Sequence, residues 1–140
     1  MTTESADTAG LLSRARQSLE TYLAVGVDDD GTLTFTHAGV PCVVQATRLA
    51  EGLGVLSLTC VIGWDLDDDP SRSAAIAERA GQGLFGTLGV VRTQRGVDVT
   101  LRYAFPADGI DPGPLGTLLM LVVSTASELR GELLDGSSSR

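Results

Sequence analysis

Two acidic runs are the residues of this chain whose spacing comes nearest to a chemical site. Asp28–Asp30 form the first run, and Asp65 with Asp67–Asp69 forms the second. Hard cations such as Ca²⁺ take about six to eight oxygen ligands, so two acidic loops that met could hold one. Neither run has the alternating Asp/Asn spacing and the final Glu of a calcium-binding loop. Solvated turns and a helix cap are the interpretation that the pattern favours, and no metal is predicted.

His37, Cys42 and Cys60 are the remaining residue types that catalysis or metal binding would use. His37 is the only histidine, and it falls in a predicted hairpin turn without a nucleophile motif, a zinc-binding helix motif or a phosphate-binding glycine loop. Each cysteine falls in an apolar row of a predicted strand, without Cys-x-x-Cys spacing. The sequence therefore predicts a turn histidine, two reduced thiols in the core, no cofactor and no catalytic residue.

The charge of the chain argues against two classes of partner. It has 18 acidic and 10 basic residues among 140, a formal net charge of −8. Nucleic-acid and anionic-membrane binders need basic surface, so neither partner is expected. No basic segment followed by a continuous apolar stretch stands near the start, and the apolar run 115–123 is too short to cross a bilayer. We therefore expect a cytoplasmic protein.

The composition is that of one globular domain. Hydrophobic residues make up 43% of the chain, and a domain of this length can bury one core. We expect a flexible N-terminus over residues 1–7, a single domain over 8–134 and a flexible tail over 135–140.

Three segments have helical spacing. The first runs from about Thr8 to Ala24. The second follows the Asp69-Pro70 start signal and ends near Phe85-Gly86, with apolar residues every four positions at Ile76, Ala80, Leu84 and Leu88. The third begins at Asp111-Pro112 and carries a broad apolar stripe, which Met120 and Val123 extend sideways: Leu115, Leu118, Leu119, Val122, Ala126, Leu129 and Leu133.

Five segments alternate with a period of two, as strands do. Their apolar rows begin at Leu33, Val40, Leu56, Val90 and Val97. A hairpin around the 48–54 connection pairs Cys42 with Cys60 on the face that the helices cover. The order α-β-β-β-α-β-β-α predicts an α+β fold, a five-stranded antiparallel sheet with helices mainly on one face.

One long stretch carries a family resemblance. The run FGTLGVVRTQRGVDVTLRYAFPADGIDPGPLGTLLMLVVSTASELRGELL resembles the second half of YbjN-type domains, which are widespread in actinobacteria and related in fold to the type III secretion chaperones. The resemblance lies in Phe85-Gly86, the two strands, the passage 105–111 and the final helix with Leu119 and Ala126. Weaker similarity extends to GVPCVV and DLDDDP. It implies a non-enzymatic, often dimeric module that binds peptide segments of other proteins.

The predicted partner is therefore a protein or peptide, held by a chaperone-like homodimer whose interface uses the stripe of the last helix. The peptide contacts either the outer face of the sheet or a groove beside the second helix. Trp64 lies at the end of a predicted strand. We expect it to cap the end of the core and not to be an exposed binding anchor. The candidate peptide-binding residues are Val43, Gln45, Thr59, Val61, Trp64, Thr100 and Arg102, with Thr34 in the same outer rows.

Two other functions remain open. One is a structural or regulatory subunit with one fixed protein partner, which the range of bound proteins would distinguish from a chaperone-like module. The other is a small metal-dependent hydrolase, for which the acidic runs and His37 are the only support. Catalysis needs converging titratable groups, which this sequence lacks, so an enzyme is not predicted.

Overall fold

The computed structural model describes residues 2–83 and 85–135. Its elements in chain order are α1 (Thr2–Leu19), β1 (Gly26–Val27), β2 (Leu33–His37), β3 (Val40–Ala50), β4 (Leu53–Leu66), α2 (Pro70–Ala80), β5 (Thr87–Thr93), β6 (Gly96–Pro106), α3 (Pro112–Arg130) and a π-helical segment (Gly131–Asp135). The predicted alternation of helices and strands is confirmed, with one strand more than expected.

The strands form one antiparallel sheet of six strands in the order β1-β2-β3-β4-β6-β5. The prediction of five strands is wrong because it omits β1, which pairs Gly26 with Thr34 and Val27 with Leu33. Both residues of β1 are exposed, so no alternation of buried and exposed positions marks this strand in the sequence.

The apolar rows predicted from the period of two line the inner face of the sheet. Cys42 pairs with Cys60 across β3 and β4, which confirms the predicted register. Helices α1 and α3 pack on this face and close a single core. The sheet side chains at its centre are almost fully buried: Leu33, Val40, Val44, Leu56, Leu58, Cys60, Ile62, Val99 and Leu101.

The ends of the first two helices differ from the prediction. α1 begins at Thr2 and ends at Leu19. The prediction placed its end at Ala24 because Leu23, which lies beyond the helix, still packs partly against the core and continues the apolar spacing. α2 ends at Ala80, with Gly81 at its C-cap. Leu88, which continued the spacing of four, belongs to β5 and lies opposite Leu101.

Two predicted segments fall partly or wholly outside the described residues. Leu84, one of the spaced residues of the second helix, is outside them, and so is the tail beyond Asp135. The flexibility of residues 1–7 and 135–140 stays a prediction.

The last helix gives its apolar stripe to the core of one chain. Leu119, Val122 and Val123 have no exposed surface, whereas Leu121 on the opposite side is 44% exposed. Val123 therefore does not extend the stripe toward a second copy, contrary to expectation. Asp111 stands at the N-cap of α3, but its side chain makes no capping hydrogen bond.

Candidate functional site

The outer face of the sheet carries the residues predicted to bind a peptide. One cross-strand row runs over the whole sheet, as successive partners Gly26, Thr34, Val43, Thr59, Arg102 and Thr87. Val61 and Thr100 face one another in the next row, and Gln45 lies opposite Ser57. All of the predicted strand residues therefore share one face, opposite the one on which α1 and α3 pack.

An apolar hollow opens at one side of this face. Trp64 is 59% exposed and lines the hollow beside Pro41, Val43 and Val61. The space encloses about 330 Å³, and Thr34 and Thr36 contribute its polar edge. The favoured interpretation of Trp64 as a cap on the core is wrong, and its alternative, an exposed indole, is what the structure has.

A β-bulge in β4 turns Trp64 outward. Val61 pairs with Thr100, and Gly63 pairs with Val99. Between these two pairs β4 advances by two residues while β6 advances by one, so β4 contains one extra residue. Such an insertion shifts the alternation of the strand by one. Without it, the even-numbered Trp64 would follow Cys60 and Ile62 onto the inner face.

Three contacts hold the bulged segment in place. The Arg130 guanidinium donates to the Ile62 carbonyl at 2.7 Å, and the Asp65 amide donates to a carboxylate oxygen of Asp98 at 2.8 Å. Gly96 lies so close that a Cβ atom there would stand 2.3 Å from the Leu66 carbonyl oxygen. Arg130, Asp98 and Gly96 therefore position Trp64 without lining the hollow.

A second, polar hollow lies on the same face around Arg102. It encloses about 580 Å³ between β4, β6 and β5. None of the described residues that line it is acidic. It is lined by Arg102, four residues with hydroxyl groups, two glycines and an alanine: Ser57, Thr87, Thr100, Tyr103, Gly86, Gly89 and Ala104.

Arg102 differs from the other arginines in the described part of the chain. Each of the others donates to a carbonyl or amide oxygen or pairs with a carboxylate, as Arg92 does with Asp68 and Arg79 with Glu132. Arg102 has no hydrogen bond or ion pair with a described residue. It is exposed, and its cross-strand neighbours are Thr59 and Thr87.

The acidic runs form turns, a cap and ion pairs. Asp69 accepts from the Ser71 amide at 3.0 Å at the start of α2, and this backbone hydrogen bond lowers the pKa of its carboxyl. A backbone hydrogen bond from Thr32 likewise lowers the pKa of Asp30. Asp65 lies 3.7 Å from the Arg95 guanidinium. Among residues 8–83 and 85–134, no three His, Cys, Asp or Glu side chains come together as a metal site would need.

His37 and the thiols lie apart from both hollows. His37 ends β2 opposite Val40 and is partly buried. The Cys42 and Cys60 sulfur atoms share a hydrogen bond at 3.5 Å in the core. This hydrogen bond and burial raise the pKa of the Cys60 thiol, because its ionised form would carry a negative charge in an apolar surrounding.

Sequence reasoning missed several residues that line the two hollows. Pro41, Ser57 and Thr87 share the outer parity of their strands, and that parity was the signal available for them. The two glycines of the polar hollow carry no such signal, since they have no side chain to alternate.

No protein-family model matches the sequence, and no curated protein matches it. Among solved structures, the fold is similar to that of the type III secretion chaperone SycH of Yersinia pestis, crystallised in complex with a stable fragment of YscM2. The identity is 16%, the match covers 86% of this chain and 98% of that one, and the TM-score is 0.50. The predicted secretion-chaperone architecture is therefore confirmed, while the resemblance to YbjN-type domains stays a prediction. No described helix has both the length and the apolar character needed to cross a bilayer.

Proposed function

We propose that this chain is a non-enzymatic, chaperone-like module that holds an extended segment of another protein against the outer face of its sheet. The observation that carries the proposal is the exposed Trp64 beside Pro41, Val43 and Val61 on a face opposite the packed helices. Trp64, which is 59% exposed, lacks favourable burial in the free protein and gains it when a partner covers the side chain.

The character of the face supports an extended partner. Apolar groups around Trp64 alternate with hydroxyls on neighbouring strands, so a partner can bury side chains while its backbone finds donors and acceptors nearby. The relation in fold to a chaperone solved with a protein fragment supports the same class of partner. A cytoplasmic module of this kind needs no cofactor or metal.

The test compares partner binding by three single-residue variants. Trp64→Ala removes the anchor, Val43→Asp places a charge in the apolar hollow, and Leu121→Ala is the matched control on the exposed side of α3. Proteins captured from the native host by the tagged wild-type chain are identified by mass spectrometry, purified and titrated directly. We expect Trp64→Ala to weaken binding by about thirtyfold, as loss of an anchor costing about 2 kcal/mol does.

Leu121→Ala binds as the wild type does, because it lies on the helical side of the molecule. If purified partners bind all three variants with equal affinity, the outer face is not the binding surface and the proposal fails. A broad set of partners fits the chaperone-like module, whereas a single partner at fixed stoichiometry fits the alternative of a structural or regulatory subunit.

We also propose that the module works as a homodimer. The apolar stripe of α3 is buried in the core of a single chain, so the interface must lie elsewhere. Exposed apolar side chains remain on and beside the edge strand β5, where Phe85, Val90 and Val91 are 49%, 41% and 54% exposed. Light scattering at micromolar concentration should give twice the 14.5 kDa mass of one chain, and Val91→Arg should restore the monomer. A wild-type protein that scatters as 14.5 kDa contradicts the dimer.

A further inference from the structure

The polar hollow around Arg102 is separate from the hollow beside Trp64, so it would bind a different group of the partner. A guanidinium is a strong donor that gains most when it meets a carboxylate in two-point geometry. Arg102 meets none among the described residues, although the chain as a whole carries a net charge of −8. An unpaired cation in a markedly acidic protein is the local charge that a partner's carboxylate would complement.

The surroundings of Arg102 suit a carboxylate side chain. Ser57, Thr87 and Thr100 place hydroxyl groups around the same hollow, and each can donate a hydrogen bond to an oxygen that Arg102 does not reach. The chain approaches closely here, because a Cβ atom on Gly86 would stand 2.9 Å from the Arg102 carbonyl oxygen. A Cβ atom on Gly89 would stand 3.7 Å from the Thr100 hydroxyl oxygen, so this glycine leaves its side of the hollow open.

We infer that Arg102 binds a single Asp or Glu side chain of the partner segment, while the Trp64 hollow takes an apolar side chain of the same segment. The inference rests on the proposed function and names the partner's chemistry. Asp98, which shares the outer parity of Thr100 and Arg102 on β6, adds a negative charge to this face and disfavours a segment with many acidic residues. The segment therefore carries one acidic residue among neutral or basic ones.

The spacing of the two hollows sets the spacing of the two partner residues. The apolar hollow is centred near β3 and the polar hollow near β6, with β4 between them. Neighbouring strands lie about 4.8 Å apart, so the centres are roughly 10–13 Å apart once their offset along the strands is included. In an extended chain, side chains four residues apart lie on one side at about 13 Å. The recognised pattern is an apolar residue and an acidic residue four positions from it.

The test selects displayed random dodecapeptides on the full-length protein and on Arg102→Glu, with Arg16→Gln on α1 as a control that removes a distant positive charge. The wild type and Arg16→Gln should select an apolar and an acidic residue four apart, and Arg102→Glu should select Lys or Arg at the acidic position. Selected peptides are then titrated by the emission of Trp64, the only tryptophan. Arg102→Gln should weaken an acidic peptide about ten- to a hundredfold, but not its Glu→Gln counterpart.

The two proposals fail in different ways. If wild type and Arg102→Glu select the same apolar pattern without an acidic preference, the role of Arg102 is wrong and the docking face stands. If the wild type selects no pattern, or the selected peptides leave Trp64 emission unchanged and bind Trp64→Ala equally well, the proposed function fails as well.

Discussion

The thiols of Cys42 and Cys60 touch in the core, and this contact affects the ionisation of Cys60. Their hydrogen bond comes first among the causes that raise the pKa of Cys60, and burial comes second. A cysteine in an unfolded chain ionises near pH 8.5, so the folded protein retains a proton that the unfolded chain releases above that pH. The stabilising effect of the neutral thiol is complete below pH 8.5 and declines as the pH rises.

We therefore predict a steeper loss of stability at alkaline pH for the wild type than for Cys60→Ala. The difference should total about 1.4 kcal/mol between pH 7.5 and 9.5, because the slope approaches about 1.4 kcal/mol per pH unit, the value for one proton, only above about pH 9.5. Urea unfolding at pH 7.5, 8.5 and 9.5 measures the free energy of unfolding of both proteins. Cys60→Ala lowers the free energy of unfolding at every pH because it leaves a cavity. The comparison therefore uses the change of that free energy with pH and not its value at one pH. Parallel slopes would contradict the raised pKa.

At the scale of elements, the bulge of β4 matters most for the candidate site. It lets Ile62 remain in the core while Trp64 faces outward two residues later. The close approach of Gly96 to the Asp65–Leu66 backbone ties the start of β6 to the bulged end of β4. The backbone of Gly96 has a φ of 144°, which an L side chain rarely adopts.

Gly96→Ala should consequently lower stability and disturb Trp64. A methyl group there would lie 2.3 Å from the Leu66 carbonyl oxygen, so the strands must separate. Gly109→Ala is the matched control, because Gly109 also has a positive φ, 84°, but a Cβ atom there meets nothing within 4 Å. We expect Gly96→Ala to cost about 1–3 kcal/mol more than the control. Equal urea midpoints with unchanged Trp64 emission would refute the coupling.

At the scale of the whole molecule, the acidic side chains of residues 8–83 and 85–134 are distributed over turns, caps and ion pairs and form no cluster that could hold a metal ion. Asp69 caps α2, Asp68 pairs with Arg92, and Asp30 closes a turn on Thr32. Carboxylates that already accept amide hydrogens or pair with guanidinium groups have less to offer a cation. A net charge of −8 favours solubility.

Calcium should therefore leave the stability almost unchanged. Thermal melts in EDTA and in millimolar Ca²⁺ should nearly coincide, since a site filled at a hundred times its Kd would add about 2.7 kcal/mol. That energy would raise the melting temperature by several degrees in a domain of this size. Melts in millimolar Mg²⁺ control for ionic strength. A higher melting temperature in Ca²⁺ but not in Mg²⁺ would indicate that the acidic runs bind calcium.

The sequence alone determined the inner rows of the sheet, the pairing of Cys42 with Cys60 and the shared outer face, because alternation along a strand is a local property. It placed the acidic residues in turns and caps for the same reason. Tertiary structure decided the orientation of Trp64, since a bulge depends on how β4 meets β6 and leaves no periodic trace. Tertiary structure also decided that Val123 belongs to one chain's core and that Arg102 lacks a partner among the described residues, because burial and pairing depend on residues distant along the chain.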